Sequence, residues 1–356
     1  MANQEMERAL RFAGYEVNHE WGTDGHNNEH ATRVFPKAMR WLWKDWPKPV
    51  TVGRGSPQLR QILIASQKWQ VVAGRYHSPR GLTANREADV FFTEPPGPLR
   101  WVDPAPLTMD KIGQDGRVRV VSRPENFGHG NGQAFGPDGR LYEMSDFGPP
   151  SSMGGDAITR IIRRTGDRGH LVVLHNGLVY VTGARMGPAV PEDPTQSTQW
   201  WDVDSTRKAR VLGAGLKSAT GMAVSPDQTL LYVADGASHW VYSCQIQPDG
   251  SLRHKQKYYH LYVPDTADDS GADGMCVDRD GRLYIATRMG IQVCDQAGRV
   301  NCIIPVPHGR PTDICFGGRD FDTLFVTCGD RIYKRKVKAR GAPAFAKPHK
   351  PVPPRL

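Results

Sequence analysis

The chain has 356 residues, of which 38% are hydrophobic and 23% charged, a composition typical of globular proteins that excludes a disordered chain. No run approaches the roughly 20 consecutive apolar residues that a membrane-spanning helix needs. The formal net charge is +9, but many basic residues stand close to the C-terminus, and no zinc-finger, helix-turn-helix or RNP motif accompanies them. We therefore expect neither a membrane nor a nucleic acid as a partner.

The start of the chain and its cysteines bear on its compartment. The first residues, MANQEMERAL, lack the apolar segment of a secretory signal, which predicts a cytoplasmic location for the chain as written. A longer secreted precursor would change that prediction. The 6 cysteines form no CxxC pair, and most stand in apolar runs, so we interpret them as buried free thiols and not as a metal cluster.

Two segments near the N-terminus, residues 3–13 and 35–46, have helical patterns, and a strand-then-loop pattern lies between them. This stretch resembles the C-terminal end of α/β-hydrolase esterases of the enterochelin-esterase kind, whose last loop carries the catalytic histidine. The matching residue is His26 in GTDGHNNEH. That fold also needs a nucleophile elbow, and the chain contains no GxSxG. We interpret residues 1–50 as a fragment of such a domain, either packed on the domain that follows or exposed.

From about residue 58 the chain changes to short apolar runs separated by turns, many of which contain Asp-Gly. One pattern recurs: a polar or small start, an apolar run, a turn and a second apolar run. The copies begin at Arg80, Asn131, Gly169, Thr220, Asp273 and Thr312. Their mean spacing of about 46 residues is typical of propeller blades.

The sequence therefore predicts an all-β fold: a six-bladed β-propeller over residues 58–336, preceded by a short helical appendage. Residues 337–356 are predicted to form an extended or disordered tail. A propeller leaves open sheet edges unless its ends join. We expect QILIAS (61–66) or KWQVVAG (68–74) to complete the last blade beside RIYKRKVK.

The segments SGADGMCVDRDGRLYIATRMGIQVCDQAGRV and GRPTDICFGGRDFDTLFVTCGD closely resemble the last two blades of SMP-30/gluconolactonase/LRE-like proteins. The resemblance extends over about residues 60–336. It implies hydrolysis of sugar lactones, other esters or organophosphates at the centre of the propeller. It also implies one divalent cation, usually calcium.

The family's metal ligands are a glutamate in the first blade, asparagines in the third and fourth, and an aspartate in the fifth. Only the aspartate matches in place, at Asp273, because Arg80, Gly169 and Thr220 occupy the other positions. Asn131 has a suitable amide but stands in the second blade. The metal ligands implied here are Asp273, Thr220 and Asn131, so we expect calcium to bind weakly or not at all.

The same resemblance suggests the catalytic and substrate-binding residues. Asp273 is the expected ligand or base, Arg80 supplies positive charge in place of the metal, and His170 stands at a strand start nearby. Candidate substrate contacts are Asn131, His129, Thr220 and Trp200. Trp200 follows a long connection and either lines the substrate entrance or simply begins a strand.

Three functions are compatible with these features. The first is a hydrolase that acts on a small-molecule lactone or ester in the central funnel. The second is a non-catalytic binding propeller with a degenerate metal site. The third, esterase activity through His26, lacks a nucleophile. The sequence does not indicate the substrate's identity or an oligomeric state.

Overall fold

The computed structural model of the protein describes residues 2–12, 15–22, 28–44, 57–94, 108–122, 132–145, 158–162, 169–183, 199–203, 209–213 and 215–353. The chain divides into two compact units, Met1–Gln61 and Ile62–Leu356. Three helices precede the strands: α1 (Ala2–Phe12), α2 (Asn28–Leu42) and α3 (Pro57–Ile62). Within the described ranges, no helix is long and apolar enough to cross a membrane.

The first unit agrees in part with the sequence patterns. The helix predicted at residues 3–13 corresponds to α1, whereas α2 begins seven residues before its predicted start. Residues 29–34 contain neither glycine nor proline, so the helix extends back to Asn28, a residue type that favours helix starts. The strand predicted before His26 is wrong for residues 15–22, which have no regular structure. His26 itself lies outside the described residues.

The second unit contains the strands. In chain order they are β1 (Gln70–Gly74), β2 (Arg80–Ala84), β3 (Val90–Glu94), β4 (Thr108–Ile112), β5 (Val118–Ser122), β6 (Gln133–Phe135), β7 (Leu141–Ser145), β8 (Ile158–Ile162), β9 (Leu171–Val173), β10 (Val179–Gly183), β11 (Gln199–Val203), β12 (Ala209–Gly213), β13 (Ala219–Val224), β14 (Leu230–Asp235), β15 (Trp240–Ile246), β16 (Leu252–His260), β17 (Met275–Val277), β18 (Leu283–Thr287), β19 (Gly290–Cys294), β20 (Val300–Ile304), β21 (Pro311–Gly317), β22 (Thr323–Cys328) and β23 (Arg331–Lys336).

These strands form five four-stranded sheets and one three-stranded sheet. The sheets are β2–β5, β6–β8, β9–β12, β13–β16, β17–β20 and β21–β23 with β1. Each copy of the sequence pattern supplies the first two strands of one sheet. We call the first strand of each sheet its inner strand. Inner strands β2, β6, β9, β13, β17 and β21 contact one another in a closed ring. The predicted all-β propeller with few helices is confirmed.

The last sheet is completed by a strand from the other end of the unit. Strand β1 pairs antiparallel with β23, with Gln70 opposite Lys334 and Gly74 opposite Arg331. The prediction that KWQVVAG lies beside RIYKRKVK is confirmed. Pairing of the first strand with the last covers an edge that would otherwise be open to other chains.

Apolar side chains are buried between neighbouring sheets. One cluster joins Tyr232 and Tyr259 of the β13–β16 sheet to Leu283 and Ile285 of the β17–β20 sheet. The cysteines behave as the sequence predicts: all six are free thiols, and Cys244, Cys294, Cys315 and Cys328 are buried. Burial raises the pKa of the Cys244 thiol to about 11, which keeps it protonated and unreactive at neutral pH.

The C-terminal tail crosses the inner strands at the ends opposite to their first residues. Val337 and Ala339 are buried, and the Ala342 N–H donates to the Val277 carbonyl at 2.9 Å. The Gln228 Nε2 amide donates to the Ala344 carbonyl at 2.6 Å. The described part of the tail is thus hydrogen-bonded to the propeller.

Candidate active site

A cavity of about 150 Å³, which we call the mouth, lies where the inner strands β2, β9, β17 and β21 begin. The residues that line it come from the first positions of these strands and the loops before them. They are Ser78, Pro79, Arg80, Gly81, Gly169, His170, Asp273, Arg310, Thr312 and Asp313. All three predicted catalytic residues, Asp273, Arg80 and His170, therefore line one cavity.

His170 and Asp273 contact each other although 103 residues separate them in the chain. Nε2 of His170 lies 3.2 Å from Oδ1 of Asp273, and the two side chains are 19% and 14% exposed. An ionised carboxylate can only accept hydrogen bonds, so we assign the proton to Nε2. The other ring nitrogen, Nδ1, then carries a lone pair in the neutral imidazole.

The backbone fixes the position of each partner. The His170 N–H donates to the Thr182 hydroxyl at 2.9 Å, and the Thr182 N–H donates to the His170 carbonyl at 2.8 Å. In the β17–β20 sheet, the Asp273 N–H donates to the Ala286 carbonyl at 3.0 Å. Both side chains are therefore attached to strand ends that pairing holds rigid.

The charges around His170 favour its protonated form. Burial alone lowers the pKa of the ring, but the hydrogen bond and charge of Asp273, together with the charge of Asp313, outweigh it. Arg80 acts in the opposite direction. The net result is a pKa raised above the ordinary histidine value.

Asp313 is a buried carboxylate of the mouth that the sequence analysis did not select. Its Oδ2 accepts from the Leu82 N–H at 2.7 Å, and its Oδ1 accepts from the Ile314 N–H at 2.8 Å. Burial raises its pKa to about 6, against the opposing effects of the His170 charge and these N–H groups. A comparison of the second residue of each copy could have identified Asp313. That residue is glycine in the copies that begin at Arg80, Thr220 and Asp273, whereas the copy that begins at Thr312 has Asp313.

Glycines at that second position allow the inner strands to approach each other. A Cβ on Gly221 would lie 1.8 Å from the Asp273 carbonyl oxygen. A Cβ on Gly274 would lie 2.0 Å from Oδ1 of Asp313. Neither contact is possible for a real side chain, so these glycines are required for the spacing of the mouth.

Thr220 does not line the mouth. It is 6% exposed, and its hydroxyl donates to the Ala272 carbonyl at 2.7 Å, which joins β13 to the start of β17. The hydrogen of this hydroxyl is thus committed to the main chain, and the metal-binding and substrate-binding roles of Thr220 stay predictions.

The other residues predicted to contact the substrate are Asn131, His129 and Trp200. Asn131 and His129 lie outside the described residues. Trp200 lies in β11, where its backbone is opposite Thr182, and its side chain is outside the described set. Its predicted role in substrate binding stays a prediction.

The oxygen atoms that the described residues of the mouth offer do not fit a calcium ion. Calcium takes six to eight oxygen ligands. Asp273 is hydrogen-bonded to His170, both oxygens of Asp313 accept main-chain N–H groups, and Arg80 adds a positive charge. Across the described ranges, no group of three or more His, Cys, Asp or Glu side chains is placed to hold a metal ion.

A second, mostly apolar cavity of about 140 Å³ follows the mouth along the inner strands, and we call it the channel. Gly81, His170 and Asp313 line both cavities and so form the boundary between them. Tail residues Ala342–Phe345 also line the channel. The polar chemistry of the described residues is therefore concentrated in the mouth.

Comparisons with known proteins agree with this fold. Residues 167–330 match the family described as SMP-30/gluconolactonase/LRE-like region. A gluconolactonase from Zymomonas mobilis is 25% identical over 307 residues, which cover 80% of this chain and 86% of that protein. A regucalcin from Bos taurus is 28% identical over 115 residues, only 37% of its length.

Solved structures are similar at lower identity. A gluconolactonase from Xanthomonas campestris superimposes with a TM-score of 0.62 at 22% identity, covering 79% of this chain and 93% of that one. A calcium-binding regucalcin from Agrobacterium tumefaciens gives 0.60 at 16% identity, covering 79% and 98%. At these identities the likeness shows the fold alone. The likeness of residues 1–50 to an α/β-hydrolase stays a prediction. The match to the SMP-30/gluconolactonase/LRE-like family thus extends over residues 167–330 of this chain.

Proposed function

We propose that this protein is a hydrolase of lactones or small esters and that the mouth is its active site. The observation that carries the proposal is the contact between His170 Nε2 and Asp273 Oδ1 inside that cavity. A histidine oriented by a carboxylate is the arrangement that general-base catalysis uses to activate a water molecule. The similarity to a gluconolactonase supports a lactone as the substrate class.

The proposed reaction begins with neutral His170. Its Nδ1 takes a proton from water as the water oxygen attacks the ester carbonyl carbon, which gives a tetrahedral intermediate. The bond between the carbonyl carbon and the ring oxygen then breaks as the carbonyl re-forms. The imidazolium returns the proton to the leaving alkoxide. The product of a lactone is the corresponding hydroxy acid.

Two other residues of the mouth stabilise charges that develop during this reaction. The Asp273 carboxylate holds the ring and stabilises the imidazolium, because opposite charges attract strongly away from bulk water. The Arg80 guanidinium lies in the same cavity, and its Nη2 donates to the Ser78 hydroxyl at 3.1 Å. We assign Arg80 to the oxygen of the intermediate, where a placed cation favours the transition state over the ground state.

The second candidate is a binding propeller without catalysis. A regucalcin of similar fold from Agrobacterium tumefaciens is a calcium-binding protein. The oxygen atoms of the described mouth residues do not fit calcium, and this difference favours the second candidate. The two candidates differ in one measurable respect. A binding propeller holds a lactone unchanged, whereas the hydrolase opens it.

The proposal is tested by following acid release from a panel of lactones and small esters, with and without EDTA. We expect turnover of at least one lactone and the same rate in EDTA, because the described residues supply base and positive charge without a metal. In a calorimetric titration of EDTA-treated protein, we expect no submicromolar calcium binding. Absence of turnover throughout the panel would favour the binding propeller. Loss in EDTA with recovery in calcium would place a metal in the reaction.

We also propose residues 1–50 as an appendage that the reaction does not need, residues 58–336 as the propeller and residues 337–356 as its tail. A chain that begins at residue 55 should keep kcat/KM within about threefold of the full chain, since all described residues of the mouth follow it. The melting temperature of each chain is the control for folding. A well-folded truncated chain without turnover would show that the appendage contributes to the active site. The cytoplasmic location remains a prediction from the sequence.

A further inference from the structure

The channel follows the mouth along the centre of the ring, and all six inner strands line it. Its wall consists largely of apolar side chains. They include Leu82, Val172, Met222, Val224 and Ile314. Two polar side chains of the wall are bound to the main chain, since Gln133 Nε2 donates to the Gly81 carbonyl and Asp313 accepts two N–H groups. The channel therefore presents a mostly apolar interior next to the polar mouth.

The two cavities meet at the proposed base. His170 lines both of them, and so do Gly81 and Asp313. The inner strands continue from the mouth into the wall of the channel, so a residue of the mouth is followed by residues of the channel on the same strand. A lactone whose carbonyl lies beside the His170 ring in the mouth thus has the channel next to its substituent.

The tail lies at the far end of the channel, where residues Ala342–Phe345 complete the wall. The Phe345 carbonyl oxygen lies 3.0 Å from His175 Nδ1. The Phe345 side chain packs against the buried Phe135 and Leu141. Together with the hydrogen bonds of Ala342 and Ala344 given above, these contacts attach the tail to several sheets of the propeller. The far end of the channel is therefore a fixed wall.

The size and polarity of the channel suit an apolar chain. Its volume of about 140 Å³ is close to that of an apolar protein cavity of about 150 Å³ that stays dry and binds benzene, a six-carbon molecule. Burial of a methylene group is favourable, whereas burial of a hydroxyl without a hydrogen-bond partner is costly. The channel therefore favours an alkyl substituent over the hydroxylated chain of a sugar lactone.

We propose that the substrate carries an apolar chain that enters the channel and that the tail residues Ala342–Phe345 limit the length of this chain. The inference rests on the proposed hydrolase function. It narrows the substrate class to lactones or esters with an alkyl substituent of about six carbons. Ala344 and Phe345 are thus specificity-determining residues that contact the end of the chain and not the reacting atoms.

The test uses a series of γ-lactones whose ring carbon beside the ring oxygen carries an unbranched alkyl chain, from methyl to decyl. For the unaltered protein we expect kcat/KM to rise about threefold with each added methylene, the effect of removing that group from water. The rise should end at about six carbons. Longer chains should be at least about tenfold poorer than the best one, because the packed wall does not accommodate them.

Two substitutions in the tail should move this limit in opposite directions. Phe345→Ala enlarges the far end, so kcat/KM for the octyl lactone should rise at least about tenfold. Ala344→Leu fills part of it, so kcat/KM for the hexyl lactone should fall at least about tenfold. Both variants should hydrolyse the methyl lactone within about threefold of the unaltered protein, since the described lining of the mouth contains no tail residue.

Phe35→Ala and Ala297→Leu are the matched controls, because they make the same exchanges at exposed positions outside the described linings of both cavities. Both should leave the dependence on chain length unchanged, and the melting temperature checks the folding of every variant. A kcat/KM independent of chain length, or a limit that neither folded tail variant moves, would overturn the inference. Hydrolysis of the methyl lactone would leave the hydrolase proposal standing in that case.

If no lactone of the series is hydrolysed, the hydrolase proposal fails, and calorimetric binding of the same compounds tests the channel by itself. Affinity that rises with chain length up to a limit, and a shorter limit in Ala344→Leu, would support the channel as a site for the chain. Affinity independent of chain length, or a limit unchanged in Ala344→Leu and Phe345→Ala, would overturn it.

Discussion

Asp273→Ala should lower kcat/KM for lactone hydrolysis by at least about a hundredfold, the usual range for losing a positioned acid–base group. The substitution removes the acceptor of the His170 hydrogen bond and the negative charge that stabilises the imidazolium. The measurement is steady-state hydrolysis of the best lactone from the panel. We expect the fold to survive, because the Asp273 main-chain N–H still donates to Ala286.

Asp280→Ala is the control for this substitution. Asp280 lies in the turn between β17 and β18 of the same sheet, and its side chain is 64% exposed. Its removal should leave kcat/KM within about twofold, as for most exposed sites. Full activity in a folded Asp273→Ala protein would show that the active site lies elsewhere.

His170→Gln should produce a loss of similar size and should also change how the rate depends on pH. In the unaltered protein His170 must be neutral to accept a proton, so the rate rises as the pH rises through its pKa. The hydrogen bond and charge of Asp273, with the charge of Asp313, raise that pKa, so the rising limb of kcat/KM should lie above about pH 6.5. Residual activity of His170→Gln should lack this limb.

Asp273→Asn is the companion variant for the pH profile. It removes the charge that raises the pKa of His170 and keeps a similar shape, so the remaining rising limb should move to lower pH. A limb that stays in place in Asp273→Asn, or a limb retained in His170→Gln, would show that another group titrates.

Much of this architecture is predictable because it is local. Alternating apolar runs and Asp-Gly turns occur at a regular spacing, which identifies the inner strands and the strand β1 that joins the last sheet. The same regularity predicts that Arg80, His170 and Asp273 share a cavity, because each stands at the start of an inner strand. Arg80 and Asp273 stand 193 positions apart in the chain, so only the closed ring of strands brings them together.

The remainder depends on contacts that a single strand does not encode. Thr220 has the right position for a ligand, but the close approach of β17 gives its hydroxyl a carbonyl partner. Arg310 lies in a loop, and its Nη2 donates to the Gly271 carbonyl of another loop. Asp313 occupies a position that is glycine in neighbouring copies. A search for residues that follow the repeat therefore does not select it. The helix α2 also began earlier than its apolar pattern alone indicated.

A double-mutant cycle on His170 and Asp273 tests the central claim, that these two side chains act together as the base of a lactone hydrolase. The measurement is kcat/KM of the unaltered protein, His170→Ala, Asp273→Ala and the protein with both changes, each checked for folding by its melting temperature. Residues that act as one unit are not additive, so the double variant should be no slower than the slower single variant within about threefold. Losses that multiply in the double variant would contradict joint action, and unchanged rates in all variants would contradict the site itself.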